Sequence, residues 1–173
     1  MVWSCLVSIL PGMAQTEKLT DYVNPFVGTD GYGNVYPGAQ IPFGGIQISP
    51  DTDSRFYDAA SGYKYNHLTL MGFSLTHLSG TGIPDLGDFL FIPGTGEMKL
   101  EPGTHEDPDQ GYRSRYSHDK EWASPNYYAV ELADYGVKAE MTSGVRSGMF
   151  RFTYPESDNA FIMIDMNHTL WQS

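Results

Sequence analysis

Strict alternation governs the last third of this chain. Tyr128, Val130 and Leu132 share one face of residues 127–133. Val137, Ala139 and Met141 alternate with Lys138, Glu140 and Thr142, and Phe150, Phe152 and Tyr154 oppose Arg151 and Thr153. A period of two sends successive side chains to opposite faces of a strand, so each run has one face for a core and one for water. Asp134-Tyr-Gly136 joins the first two runs as a hairpin turn, with Gly136 free to take positive φ. Residues 161–164, Phe-Ile-Met-Ile, read as a strand apolar on both faces. An apolar sheet face has to be covered by a second layer.

Upstream, glycine and proline forbid long elements. The 173 residues include 19 Gly and 11 Pro, and no amphipathic helix period persists between them. Short strands are expected at 45–49 and 89–92, the latter buried on both faces, with another beginning at 62–65 and an apolar run over 68–73. Residues 98–100 suit an edge strand within a Gly-, Pro- and acid-rich connection, and 112–124 are polar without clear periodicity. About ten short strands with regular turn signals predict an all-β antiparallel β-sandwich.

The formal net charge of −11 argues against nucleic acid and anionic membrane surfaces, neither of which an acidic protein neutralises. The single Cys5 excludes an internal disulfide and a Cys-rich zinc site. Residues 3–10 are apolar and lead into Pro11-Gly12-Met13-Ala14, like the core and cleavage site of a secretory signal spanning residues 1–14. That run is too short for stable membrane insertion. The mature protein, 15–173, is therefore expected to be exported, to the periplasm, cell surface or medium.

Two stretches do not read as ordinary scaffold. Residues 24–39 carry Gly28, Gly31, Gly33, Gly38 and two prolines, and must be loop. No Lys and no helix follow them, which sets aside a phosphate site. Residues 73–88 interleave His77, Ser79, Thr81, Asp85 and Asp88 with Gly80, Gly82 and Gly87, between apolar runs that would deliver a polar loop on two strands. Asp85 and Asp88 lie only three residues apart on a turn, which does not oppose them across a bond. His105, His118 and the nearby acids fit no standard metal spacing. Asn167-His-Thr169 matches a glycosylation sequon and is read as a coincidence at a strand end.

Three blocks together resemble the N-terminal domain of glycoside hydrolase family 92, the calcium-dependent exo-acting α-mannosidases. They are Tyr22-Val-Asn-Pro-Phe-Val-Gly-Thr-Asp-Gly-Tyr-Gly-Asn-Val-Tyr-Pro-Gly-Ala39; Pro42-Phe-Gly44 with Gln47 and Ser49-Pro-Asp51; and Gly72-Phe-Ser74 with Thr76-His-Leu-Ser-Gly-Thr-Gly82 and Asp85. Ser124-Pro-Asn-Tyr-Tyr-Ala-Val-Glu-Leu132 and Arg146 with Arg151-Phe-Thr-Tyr154 extend the likeness over residues 20–169.

The resemblance implies a sandwich of the galactose-mutarotase-like, supersandwich type, packed against a larger (α/α)6 barrel with the active site at their junction. It implies inverting release of mannose from glycans, with α-1,2 the expected linkage. One carboxylic acid protonates the leaving oxygen while a carboxylate roughly 6.5–9.5 Å away activates water. Acid, base and calcium ligands are placed by the family in the barrel, to which no residue here corresponds. The chain is thus expected to be incomplete at its C-terminus, to hold no catalytic or metal-binding residue, and to be inactive without the catalytic domain. Asp30, Asn34, His77 and Asp85 are expected to hydrogen-bond mannose hydroxyls, with Tyr36 or Tyr32 stacking on the sugar. Each has a plainer reading. Asp30 suits capping its own turn, His77 suits a satisfied core histidine, and Asp85 and Asp88 suit bonds to loop amides. Two other functions fit the composition: a stand-alone carbohydrate-binding module, and a small hydrolase using His77 with Asp85 or Asp88.

Overall fold

The computed structural model describes residues 17–54, 57–80 and 82–170. The signal-like segment with Cys5, Arg55, Thr81 and the terminal Trp171-Gln-Ser173 lie outside the described residues. Twelve strands occur among those described: β1 (Ser49–Asp51), β2 (Thr69–Leu70), β3 (Gly72–Ser74), β4 (Thr76–His77), β5 (Leu86–Gly87), β6 (Leu90–Thr95), β7 (Ser114–Arg115), β8 (Glu121–Ser124), β9 (Tyr127–Leu132), β10 (Val137–Ser143), β11 (Gly148–Thr153) and β12 (Ala160–Asp165). They form two four-stranded sheets, ordered β1-β3-β6-β12 and β11-β10-β9-β8, and two ribbons, β2-β7 and β4-β5. Every pairing is antiparallel. The helical residues described are short 3-10 turns.

The alternating runs become the second sheet. Leu132 pairs with Val137 across the turn, and Gly136 takes φ +64° there. Tyr128, Val130, Leu132, Val137, Ala139 and Met141 are buried against Ile48, Leu70 and Phe73 from the other side of the sandwich. Phe91 meets Phe150 at 4.8 Å between ring centroids and Phe73 meets Phe152 at 6.2 Å, joining the sheets through aromatic faces. Each fully buried side chain of this kind contributes about 1.5–3 kcal/mol. A second cluster, Met71, Leu90, Ile92 and Tyr112, covers the far side of β6.

Six stretches differ from the sequence expectation. The strand expected at 45–49 begins at Ser49, with only Ile48 bridging Ala39 before it. Residues 62–65 form no strand: Gly62 turns at φ +83°, and its carbonyl accepts the Thr52 amide at 2.7 Å. Residues 98–100 are not an edge strand. Instead β6 runs on through Pro93-Gly-Thr95, tolerated because β6 meets β3 only at Phe91 and leaves one side of Pro93 free. Residues 121–124, without visible periodicity, are β8, because Glu121 points inward and takes a core position. The 161–164 run is one-sided: Phe161 and Met163 pack inward, whereas Ile162 and Ile164 remain half exposed on the edge strand. At 89–92, Leu90 and Ile92 are buried, but Phe89 sits outside the strand at φ +50° and is exposed.

Candidate functional site

The two glycine-rich stretches meet in space. The Gly80 amide donates to the Asn34 carbonyl at 2.7 Å, and the Tyr65 amide donates to the Thr29 carbonyl at 3.0 Å. Asn34 makes its turn at φ +48°, a left-handed conformation that Asn tolerates. Its side-chain Oδ1 is buried and accepts no hydrogen bond. Beside residues 26–30 lies a cleft of about 340 Å³ lined by Asn24, Phe26, Thr29, Asp30 and Tyr65.

The predicted site residues divide into outward and inward groups. Asp30 and Asp85 are exposed. Each binds an amide of its own turn through Oδ1, Asp30 to Gly31 and Asp85 to Leu86, both at 2.8 Å. Among the described residues, the second oxygen of each receives no hydrogen bond. Tyr32 projects fully into solvent. Tyr36, in contrast, is buried against His77 with ring centroids 5.1 Å apart, and donates to Gln40 Oε1 at 2.5 Å. Burial pushes its phenol up to about 12. Asp88, expected to bind an amide, accepts the Thr76 hydroxyl at 2.8 Å.

His77 lies in the interior. Its Nδ1 faces the Gln47 carbonyl at 2.7 Å, and its Nε2 faces Asp51 Oδ1 at 2.8 Å and Ser74 Oγ at 3.0 Å. Asp51 Oδ2 accepts from His168 Nε2 at 2.8 Å, and all three side chains are buried. Burial alone raises the Asp51 carboxyl, but the His77 charge and the hydrogen bonds from His168 and His77 outweigh it and hold the group well below the usual carboxylate range. His77 thus pairs with Asp51, whereas Asp85 and Asp88 are exposed on the loop and bond Leu86 and Thr76.

A second buried carboxylate orders the cleft. Glu121 accepts Tyr128 Oη at 2.5 Å, Tyr63 Oη at 2.9 Å and His118 Nδ1 at 2.6 Å. Burial, with Glu121 alongside, drives the Tyr63 and Tyr128 phenols far up, so both remain donors. The His118 ring stacks on Tyr65 at 3.9 Å and 6°, and its Nε2 faces the Tyr65 carbonyl at 2.8 Å. Tyr65 is thereby fixed as a wall of the cleft. Sequence reasoning placed it in a strand and missed this role. The aromatic spacing Tyr63-Lys-Tyr65, with the Tyr22–Ala39 block, was the available signal.

These donors do not fit a calcium cage, which takes six to eight converging oxygens. Both oxygens of Asp51 and of Glu121 are occupied by internal donors, and no group of three or more His, Cys, Asp or Glu among the described residues gathers to hold a metal. Nor, among the described residues, is any helix long and apolar enough to cross a membrane.

Known proteins share this fold. Over 139 residues the chain is 30% identical to an uncharacterized secreted glycosidase of Arthroderma benhamiae, covering 79% of this chain and 17% of that protein. The solved structure of the family GH92 glycosyl hydrolase ccman5 superposes with a TM-score of 0.74 at 30% identity, covering 87% of this chain and 21% of that one. A family GH92 inverting mannosidase from Bacteroides thetaiotaomicron superposes with a TM-score of 0.69 at 28% identity, covering 87% and 20%. The chain thus spans about a fifth of the length of these relatives. The sequence profile of the glycosyl hydrolase family 92 N-terminal domain matches residues 22–173, and the chain belongs to that family as its N-terminal domain.

Proposed function

We propose that this chain supplies the β-sandwich side of a mannose site in an exported, exo-acting, inverting α-mannosidase acting on mannose-containing glycans. The acid and base that cleave the bond, and the calcium that engages the sugar, belong in this reading to a separate catalytic barrel. The chain on its own binds sugar weakly and hydrolyses nothing. One observation carries the proposal: the two glycine-rich loops are joined at Gly80 and Asn34, and both turn half-committed carboxylates, Asp30 and Asp85, to solvent. A carboxylate with a free oxygen accepts from a sugar hydroxyl, and a fixed aromatic ring such as Tyr65 offers its face to the C–H side of a pyranose. The relatives add weight, since one is an inverting mannosidase and one a secreted glycosidase. Asn34, Tyr36 and His77 shape the loops in this reading, and contact with hydroxyls falls to Asp30 and Asp85.

The test is a titration of the ¹⁵N-labelled chain with α-1,2-mannobiose. Amides of residues 28–34 and 77–88, and that of Tyr65, should shift, with saturation only at millimolar sugar. Shifts confined to other regions, or none at all, would remove the proposal. Micromolar binding without calcium would make the domain a stand-alone carbohydrate-binding module instead.

A further inference from the structure

The buried carboxylate Asp51 lies between two imidazoles that come from distant parts of the chain. His77 is 26 residues away and opens the glycine-rich loop; His168 is 117 residues away, just beyond β12. The segment carrying His168 returns to that same loop. Thr169 bridges Gly87, and the Leu170 amide donates to the Leu86 carbonyl at 2.9 Å. At the other end of the loop the Leu75 amide donates to the Gly87 carbonyl at 3.0 Å. Space around the carboxylate is closed. A Cβ on Gly62 would stand 2.2 Å from Asp51 Oδ1, and Gly62 also needs φ +83°. Hydrogens follow from the partners. A carbonyl opposite Nδ1 and a carboxylate opposite Nε2 place one on each nitrogen of His77, whereas His168 needs only its Nε2–H.

We propose that Asp51, held between a doubly protonated His77 and a neutral His168, is the positioning element that fixes the glycine-rich loop against the chain leaving β12. The loop it fixes is the one read above as sugar-facing. One ionised carboxylate facing one imidazolium leaves the cluster neutral overall, which a buried site requires. The glycines of the loop supply no packing of their own, so the loop's geometry depends on this brace. None of the three residues touches substrate.

Two measurements on the full chain decide it, both without sugar, so that a failed mannobiose titration and a failed brace remain separate results. An imidazole ¹H–¹⁵N correlation spectrum should show two N–H signals for His77 and one, on Nε2, for His168. A single N–H on His77 would overturn the assignment. In hydrogen exchange, His168→Leu should speed the Leu75, Gly80 and Leu170 amides about tenfold while leaving the β9–β10 ladder unchanged, as expected for losing one charged hydrogen bond locally. His168→Gln, which keeps a donor, should restore most of the protection. Uniform acceleration across the domain, or none in the loop, would reduce the cluster to ordinary core. Should the Leu variant fail to fold, the wild-type imidazole spectrum still decides.

Discussion

The β8–β11 sheet and the loop-bearing half of the molecule are built by different physics. In the sheet, alternating side chains close a dry core, and a seven-residue strand pairs on both sides with near-perfect register. In the loop-bearing half the strands are two or three residues long, apart from β6 and its edge partner β12. Five of the six non-glycine residues described with positive φ lie there, namely Asn34, Phe43, Leu86, Asp88 and Phe89. Its order comes from buried polar joints instead, chiefly Asp51 with its two imidazoles. The Glu121 cluster lies on the border, rooted in β8 and reaching Tyr63 and Tyr65. The lesson is that apolar pattern builds the platform, whereas buried charge sets the loops.

The comparison can be broken by mutation. Asp51→Ala should have the largest effect, about 3–5 kcal/mol in urea unfolding, because it strands a buried imidazolium. If it costs less than a surface substitution, the polar-joint account fails. Leu132→Ala in the sheet should follow at about 2–5 kcal/mol, the cost of a core truncation. It should speed exchange throughout β9 and β10. Tyr128→Phe, which removes one donor from buried Glu121, should cost about 1–3 kcal/mol. Because Glu121 also holds His118 under Tyr65, it should further shift the Tyr65 ring resonances.

Acid provides a fourth test. The folded Asp51 carboxyl lies below its unfolded value of about 3.9, so its contribution is fully present above that value and is lost as pH falls below it. Stability measured from pH 5 down to about 3 should fall less steeply in Asp51→Asn than in wild type. The smallest effect belongs to Glu140. Hydrogen bonds from Arg151, then Tyr127, hold it at about 2. Its contribution is therefore present above the unfolded Glu value and lost as pH falls toward about 2. Arg151 is largely exposed, so Arg151→Ala should cost less than any of the changes above and the cost should vanish in molar salt.

The sheet was legible in the sequence because a period of two is a local signal, and the hairpin at Gly136 announces itself with its glycine. β8 was hidden because a buried carboxylate breaks the apolar alternation; Tyr63, 58 residues upstream, joins the nearer His118 and Tyr128 to make Glu121 acceptable there. The candidate site was half legible. Its loops and Asp30 and Asp85 stood out as polar groups among glycines. Tyr36 and His77 belong to the same stretches yet face inward, a distinction that depends on Gln40, Gln47 and Asp51. His168 appeared only as the middle of a sequon, and nothing local ties it to Asp51.

The central claim is that this domain presents a sugar face without the carboxylate pair that cleaves the bond. The most direct measurement follows the anomeric protons of α-1,2-mannobiose by NMR during long incubation with the chain and calcium. The account predicts that loop amides shift while no free mannose accumulates. Steady release of β-mannose, abolished by Asp85→Asn, would contradict it and place the catalytic acid within this chain.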